Sequence, residues 1–131
     1  MKSTLSLLAT GATLIVLLAT WFDARVQNTL DPRIAAYDKG AATIDVSKYP
    51  ADMQARYKLF SSRCSKCHTP ARAINCEFAL EDEWERYVKR MMRKPGSGIS
   101  AADGKEIYEF LAFDSKTRKK ALYEKKLKEI K

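Results

Sequence analysis

The chain has one histidine and three cysteines in 131 residues. A single histidine means that no site can pair two imidazoles from this chain. Three cysteines do not make a disulfide scaffold, which draws on an even set at regular spacing. Charge is missing from Ser3 to Phe22, a run of twenty residues. Aromatic residues are not interleaved with the basic run at the C-terminus, so the base-stacking platforms of a single-stranded nucleic-acid binder are absent. The formal charge of +8 is gathered in one place: Lys116 to Lys131 holds eight Lys or Arg against Glu124 and Glu129. Such a tail is read as a local docking surface, for an anionic bilayer or an acidic protein patch, with no nucleic acid as partner. At this length there is room for one small domain plus appendages.

Against this sparse background stands Cys64-Ser65-Lys66-Cys67-His68. C-x-x-C-H is the attachment motif of a c-type haem. Two thiols one helical turn apart can add to the two vinyl groups of one porphyrin, and the adjacent imidazole then ligates the iron. Cys76 is left over and is read as a small buried apolar side chain near the haem. A competing reading is a structural zinc site of Cys64, Cys67, Cys76 and His68, whose donor count fits three cysteines and one histidine. The uncharged N-terminal run implies export, and the C-x-x-C-H spacing matches haem more closely than zinc.

The uncharged run would cover about 30 Å as a helix, the thickness of a hydrocarbon core. No small-x-small cleavage site follows it, so residues 1–23 are expected to be a retained single-pass anchor with Trp21 and Phe22 at the interface. Ser6, Thr10 and Thr13 form a stripe of small residues suited to packing against other subunits. Residues 24–50 carry Asp31-Pro32, Lys39-Gly40 and Tyr49-Pro50 and read as an extended linker. Residues 51–114 are expected to form an all-α domain. Its first helix spans Pro50 to Arg63, with a stripe of Met53, Tyr57 and Phe60. A second spans Ala79 to Lys94, acidic at its start and basic at its end, with Trp84, Tyr87, Val88 and Met91 on one face. A third begins at the N-cap Ser100 and runs to about Phe113, where Asp114-Ser115 marks a break. Residues 115–131 are expected to be a basic helical tail.

With His68 as the proximal iron ligand, the distal ligand must come from elsewhere. Met1 lies at the far end of the anchor, and Met53 lies on the helix that leads into the motif. Met91 and Met92 remain. Met91 follows Trp84 by seven residues and shares its face, whereas Met92 is rotated by about 100°. Helical geometry therefore favours Met91, with Met92 the alternative.

Together, Cys64-Ser65-Lys66-Cys67-His68, Phe60 four residues earlier, and Ile107, Phe110 and Leu111 resemble the single-haem class I c-type cytochromes over about Tyr49 to Phe113. Trp84-x3-Val88-x2-Met91 looks like a subgroup in which that methionine is the distal ligand. The resemblance implies a small class I cytochrome c-like domain around one covalent haem c; the chain departs from soluble members of that family in its expected N-terminal transmembrane helix and in its basic tail after Phe113. It also implies that Arg72 or Trp84 hydrogen-bonds a haem propionate.

The expected function is one-electron transfer through a His/Met haem rather than enzymatic catalysis. The chain is expected to be a subunit of a photosynthetic or respiratory membrane complex, with other subunits and redox donor and acceptor proteins as partners. Haem attachment takes place outside the cytoplasm. This orients the anchor in a bacterial inner membrane, with its N-terminus cytoplasmic and the haem domain periplasmic. The alternative function is a tethered haem sensor or enzyme with an open or displaceable distal site.

Overall fold

The computed structural model describes residues 30–131. The expected anchor and the first part of the linker lie outside the described residues. Among the described residues there is no strand, and no helix is long and apolar enough to cross a membrane. Six helices follow one another: α1 Pro32–Asp38, α2 Ala51–Cys64, α3 Ala71–Asn75, α4 Glu81–Met92, α5 Ala101–Thr117 and α6 Lys120–Glu129. α5 packs against both α2 and α4, α6 folds back on α5, and α1 packs on α3.

The α2–α5 crossing is aromatic. Phe60 and Phe110, both 0% exposed, stack with ring centroids 5.4 Å apart. Tyr57 adds a second contact to Phe110 at 5.4 Å. Stacked aromatic pairs contribute beyond their burial alone, so this crossing fixes the end of α2, where Cys64 sits. On the other side of α5, Gly104 meets Met92: a Cβ at Gly104 would lie 2.5 Å from the Met92 sulfur. Glycine is needed here for close approach of α4.

Helix starts follow local chemistry. Ser100 Oγ accepts from the Asp103 N–H at 3.0 Å, and the Asp103 carboxylate accepts in return from the Ser100 N–H at 3.3 Å. At α4 the Glu83 carboxylate accepts from both Ala79 and Leu80 N–H at 2.9 Å, satisfying donors that the helix leaves open. Asp31-Pro32, read from sequence as a breaker, instead opens α1. The Asp31 carboxylate accepts from the Arg33 N–H at 2.9 Å, and Pro32 takes the first helical turn.

Side-chain bonding to distant elements shapes three further features, of which the last two depart from the sequence expectation. The segment from Asp31 to Pro50 is laid on the domain: Ile44, Val46 and Tyr49 pack on the core, and the Tyr57 hydroxyl accepts from the Ile44 N–H at 3.0 Å. α5 does not break at Asp114-Ser115 but runs to Thr117. Both residues are buried. Their side chains take bonds from Tyr49, Arg118 and Trp84, so they do not compete for the backbone of their own helix. The basic tail is docked rather than free. Lys119 is half-buried at the junction of α5 and α6, donates to the Cys76 and Phe78 carbonyls at 2.8 and 3.3 Å, and lies 5.2 Å from the Trp84 ring centroid. Lys116 pairs with Glu81 and Lys126 with Glu83.

Candidate cofactor site

The last turn of α2 delivers Cys64, and the turn after it carries Cys67 and His68. Opposite them α4 presents Tyr87 and Met91, and the loop after α4 adds Ile99. These side chains line one cleft with a volume of about 300 Å³. Both motif thiols, the only imidazole and one thioether thus converge on a single apolar space. Burial pushes the Cys64 thiol up to about 12, with Cys67 adding to the effect, whereas Cys67 itself is exposed. The His68 ring nitrogen Nδ1 lies 2.9 Å from the Thr69 carbonyl oxygen. With the proton on Nδ1 that bond is made, and Nε2 keeps the lone pair that an iron ligand needs.

The two methionines separate. Met91 lines the cleft. Met92 points into a groove between α4 and α5, beside Val88, Gly104 and Tyr108. Arg72 lines the cleft too, but its guanidinium is forked onto the Asp38 carboxylate of α1 through Nε at 3.0 Å and a second nitrogen. Arg72 in turn holds the Asp38 carboxyl below the usual carboxylate range. Trp84 is 1% exposed and donates its indole N–H to Ser115 Oγ at 2.8 Å, in the core between α4 and α5 and not at the cleft.

Cys76 is buried apart from the motif, with its thiol 3.3 Å from the Ala73 carbonyl oxygen. Among the described residues no group of three or more His, Cys, Asp or Glu is arranged to hold a metal ion. The zinc reading therefore loses its donor set, because Cys76 does not converge with Cys64, Cys67 and His68. Cys76 is buried as expected, but it does not line the cleft: it belongs to the core packed with Trp84 and Tyr87.

Sequence reasoning passed over Arg63, which also lines the cleft. Its guanidinium pairs with Asp103 at 2.9 Å, and its Nε is buried with no hydrogen-bond partner. The available signal was its place, one residue before Cys64 on the same helical turn.

Two thiols in C-x-x-C spacing, the adjoining histidine and an apolar cleft between two helices fit a c-type cytochrome, whose cofactor is covalently attached haem c. The chain belongs to the family described as Photosystem P840 reaction-centre cytochrome c-551, whose model matches residues 3–114. It is also similar to a protein named cytochrome c from Chlorobaculum tepidum, at 43% identity over 75 residues, covering 53% of this chain and 36% of the relative. The chain therefore spans about a third of the length of that curated relative. No solved structure matches.

Proposed function

We propose that the chain is a membrane-anchored, single-haem c-type cytochrome that passes one electron at a time, as a subunit of a photosynthetic reaction-centre complex. Cys64 and Cys67 hold the group by thioether bonds, His68 is the proximal ligand and Met91 the distal one. The observation that carries this reading is the convergence of these four side chains on one cleft. The family match, which includes the whole of the uncharged N-terminal run, supports the reaction-centre setting and the anchor.

Each residue has a physical task in this reading. The haem supplies a one-electron iron couple, and His/Met ligation raises its potential. The Thr69 carbonyl fixes the His68 ring and its tautomer. Tyr87 and Ile99 form apolar wall, which keeps water from the iron and stabilises the less charged ferrous state. Met91 sits on a helix braced from behind by Met92 against Gly104, so its position does not depend on a flexible loop. With His68 and Met91 both serving as ligands, the chain itself would leave no place for a substrate at the bound group. Trp84, whose N–H Ser115 already takes, acts as core rather than as a propionate donor.

Spectroscopy of the protein isolated from gently solubilised membranes tests the reading. A covalent haem resistant to acid extraction, a methionine-to-iron charge-transfer band in the ferric spectrum, and no response of the ferrous form to carbon monoxide are expected. Co-purification with reaction-centre subunits is expected alongside. A ferrous form that binds carbon monoxide at neutral pH would replace this reading with the open-site sensor or enzyme.

A further inference from the structure

Met91 is the penultimate residue of α4, in the turn where a helix frays because its last carbonyls have no partner within it. Here those carbonyls are taken. The Lys94 N–H donates to the Met91 carbonyl at 3.1 Å, and the Ser97 hydroxyl reaches back five residues to donate to the Met92 carbonyl at 3.1 Å. Ser97 is 8% exposed, the one buried residue in 93–100. Its hydroxyl also accepts from the Ile99 N–H at 3.4 Å, and its own N–H donates to the Lys94 carbonyl at 3.1 Å. Gly96 and Gly98 on either side stand at φ +74° and +60°, the left-handed region that a side chain disfavours. The two left-handed residues turn one hydroxyl inward to the helix end. An apolar side chain in its place would leave the Met92 carbonyl unpaired. Ser97, Ile99 and Met91 all line the same cleft.

We propose that Ser97 is a positioning residue for the distal ligand: its hydroxyl pins the loop of residues 94–99 to the last turn of α4 and so holds Met91 and Ile99 in place against the group bound in the cleft. The inference rests on the haem reading given above, with Met91 as the distal ligand. Ser97 acts through the backbone of α4 and needs no contact with the iron. A thioether is a weak, uncharged donor, so its hold on a metal depends on how firmly the surrounding bonds present it. Without the hydroxyl the last turn of α4 frays, Ile99 loses its backbone bond, and Met91 spends more time off the iron. An added ligand then competes with it more easily.

The test uses the holoproteins of Ser97→Ala and Ser97→Thr, with Ser115→Ala as comparison. Ser115 is a buried hydroxyl away from the cleft, so its loss weakens the fold without reaching Met91. Imidazole is titrated into the ferric protein while the methionine-to-iron charge-transfer band is followed. S97A is expected to bind imidazole about fivefold more tightly than wild type, the factor that one lost neutral hydrogen bond carries. Hydrogen exchange at the Ile99 amide is expected to speed up in the same variant. S97T keeps the hydroxyl and should lie nearer wild type in both readouts, and S115A should match wild type in both. An imidazole affinity in S97A at the wild-type value, an equal rise in S115A, or an S97T no closer to wild type than S97A would overturn the proposal. If S97A does not mature, Gly98→Ala takes its place with the same readouts. It strains the left-handed turn beside the hydroxyl and meets only the flexible end of Lys66. Wild-type protein without covalent haem, or without the methionine band, would instead overturn the haem reading itself, so the two failures are distinguishable.

Discussion

The Trp84 indole N–H donates to Ser115 Oγ at 2.8 Å, joining the first turn of α4 to the end of α5 inside the core. Ser115 is 0% exposed, so no water can replace it if the hydroxyl is removed. Ser115→Ala is expected to cost about 1–3 kcal/mol through the orphaned N–H. Denaturant unfolding would measure this. The visible spectrum of the folded holoprotein should be unchanged, because neither residue lines the cleft.

This pair also marks where sequence reading reached its limit. C-x-x-C-H, the periodic face ending at Met91 and the cap at Ser100 are local patterns, and each was legible without coordinates. Asp114-Ser115 looked like a break for the same local reason, since polar residues compete for helix backbone. Their partners, Tyr49 and Trp84, are 65 and 31 residues away. Nothing in the neighbourhood of Asp114 announces them. The docking of Lys119 on the Cys76 and Phe78 carbonyls is equally non-local, as is the pairing of Arg63 with Asp103. Those contacts turn a tail that reads as a free basic face into part of the domain.

Met91 and Met92 are adjacent in sequence and should behave oppositely. Met91→Ala is expected to open the distal position, so that the ferrous protein binds carbon monoxide and the ferric charge-transfer band disappears. Met92→Ala should keep both ligand signatures and lose about 2 kcal/mol of stability from the vacated α4–α5 contact. Absorption spectra with and without carbon monoxide, together with unfolding curves, separate the two.

Gly104→Ala tests the close approach of α4 and α5. The methyl group gains helix propensity of about 1 kcal/mol but drives into the Met92 sulfur. Overpacking of this kind costs about 1–3 kcal/mol, so the variant is expected to be destabilised on balance. Combined with Met92→Ala, the same substitution should be tolerated better than the sum of the two single changes. A double-mutant cycle in denaturant reads that coupling directly.

Acid should loosen α6 from α4. Burial works against ionisation of Glu81 and Glu83. It is outweighed at Glu81 by Lys116 of α5 together with the Tyr123 hydroxyl of α6, and at Glu83 by the Ala79 and Leu80 N–H groups and Lys126 of α6, so both carboxyls stay below the ordinary 4.5 of a glutamate. A carboxyl lowered by folding contributes stability above its unfolded value and loses that contribution as pH falls through the folded one. Protection of α6 amides against hydrogen exchange is therefore expected to hold above pH 4.5 and to decline below it. Glu81→Gln combined with Glu83→Gln should remove most of the pH dependence.

The lacing of residues 31–50 onto the domain has a mechanical consequence. A pull entering at Asp31 meets the bonds from Asp38 to Arg72 and from the Tyr37 and Ala41 carbonyls to Asn75 before it reaches Ile44 and Tyr57, and last of all Tyr49 and Asp114. The bond at Asp38, among the earliest of these, ends on Arg72, a residue of the cleft wall. Tension applied at that end is thus delivered to the cofactor's surroundings early, while the α2–α5 crossing behind them still carries no load.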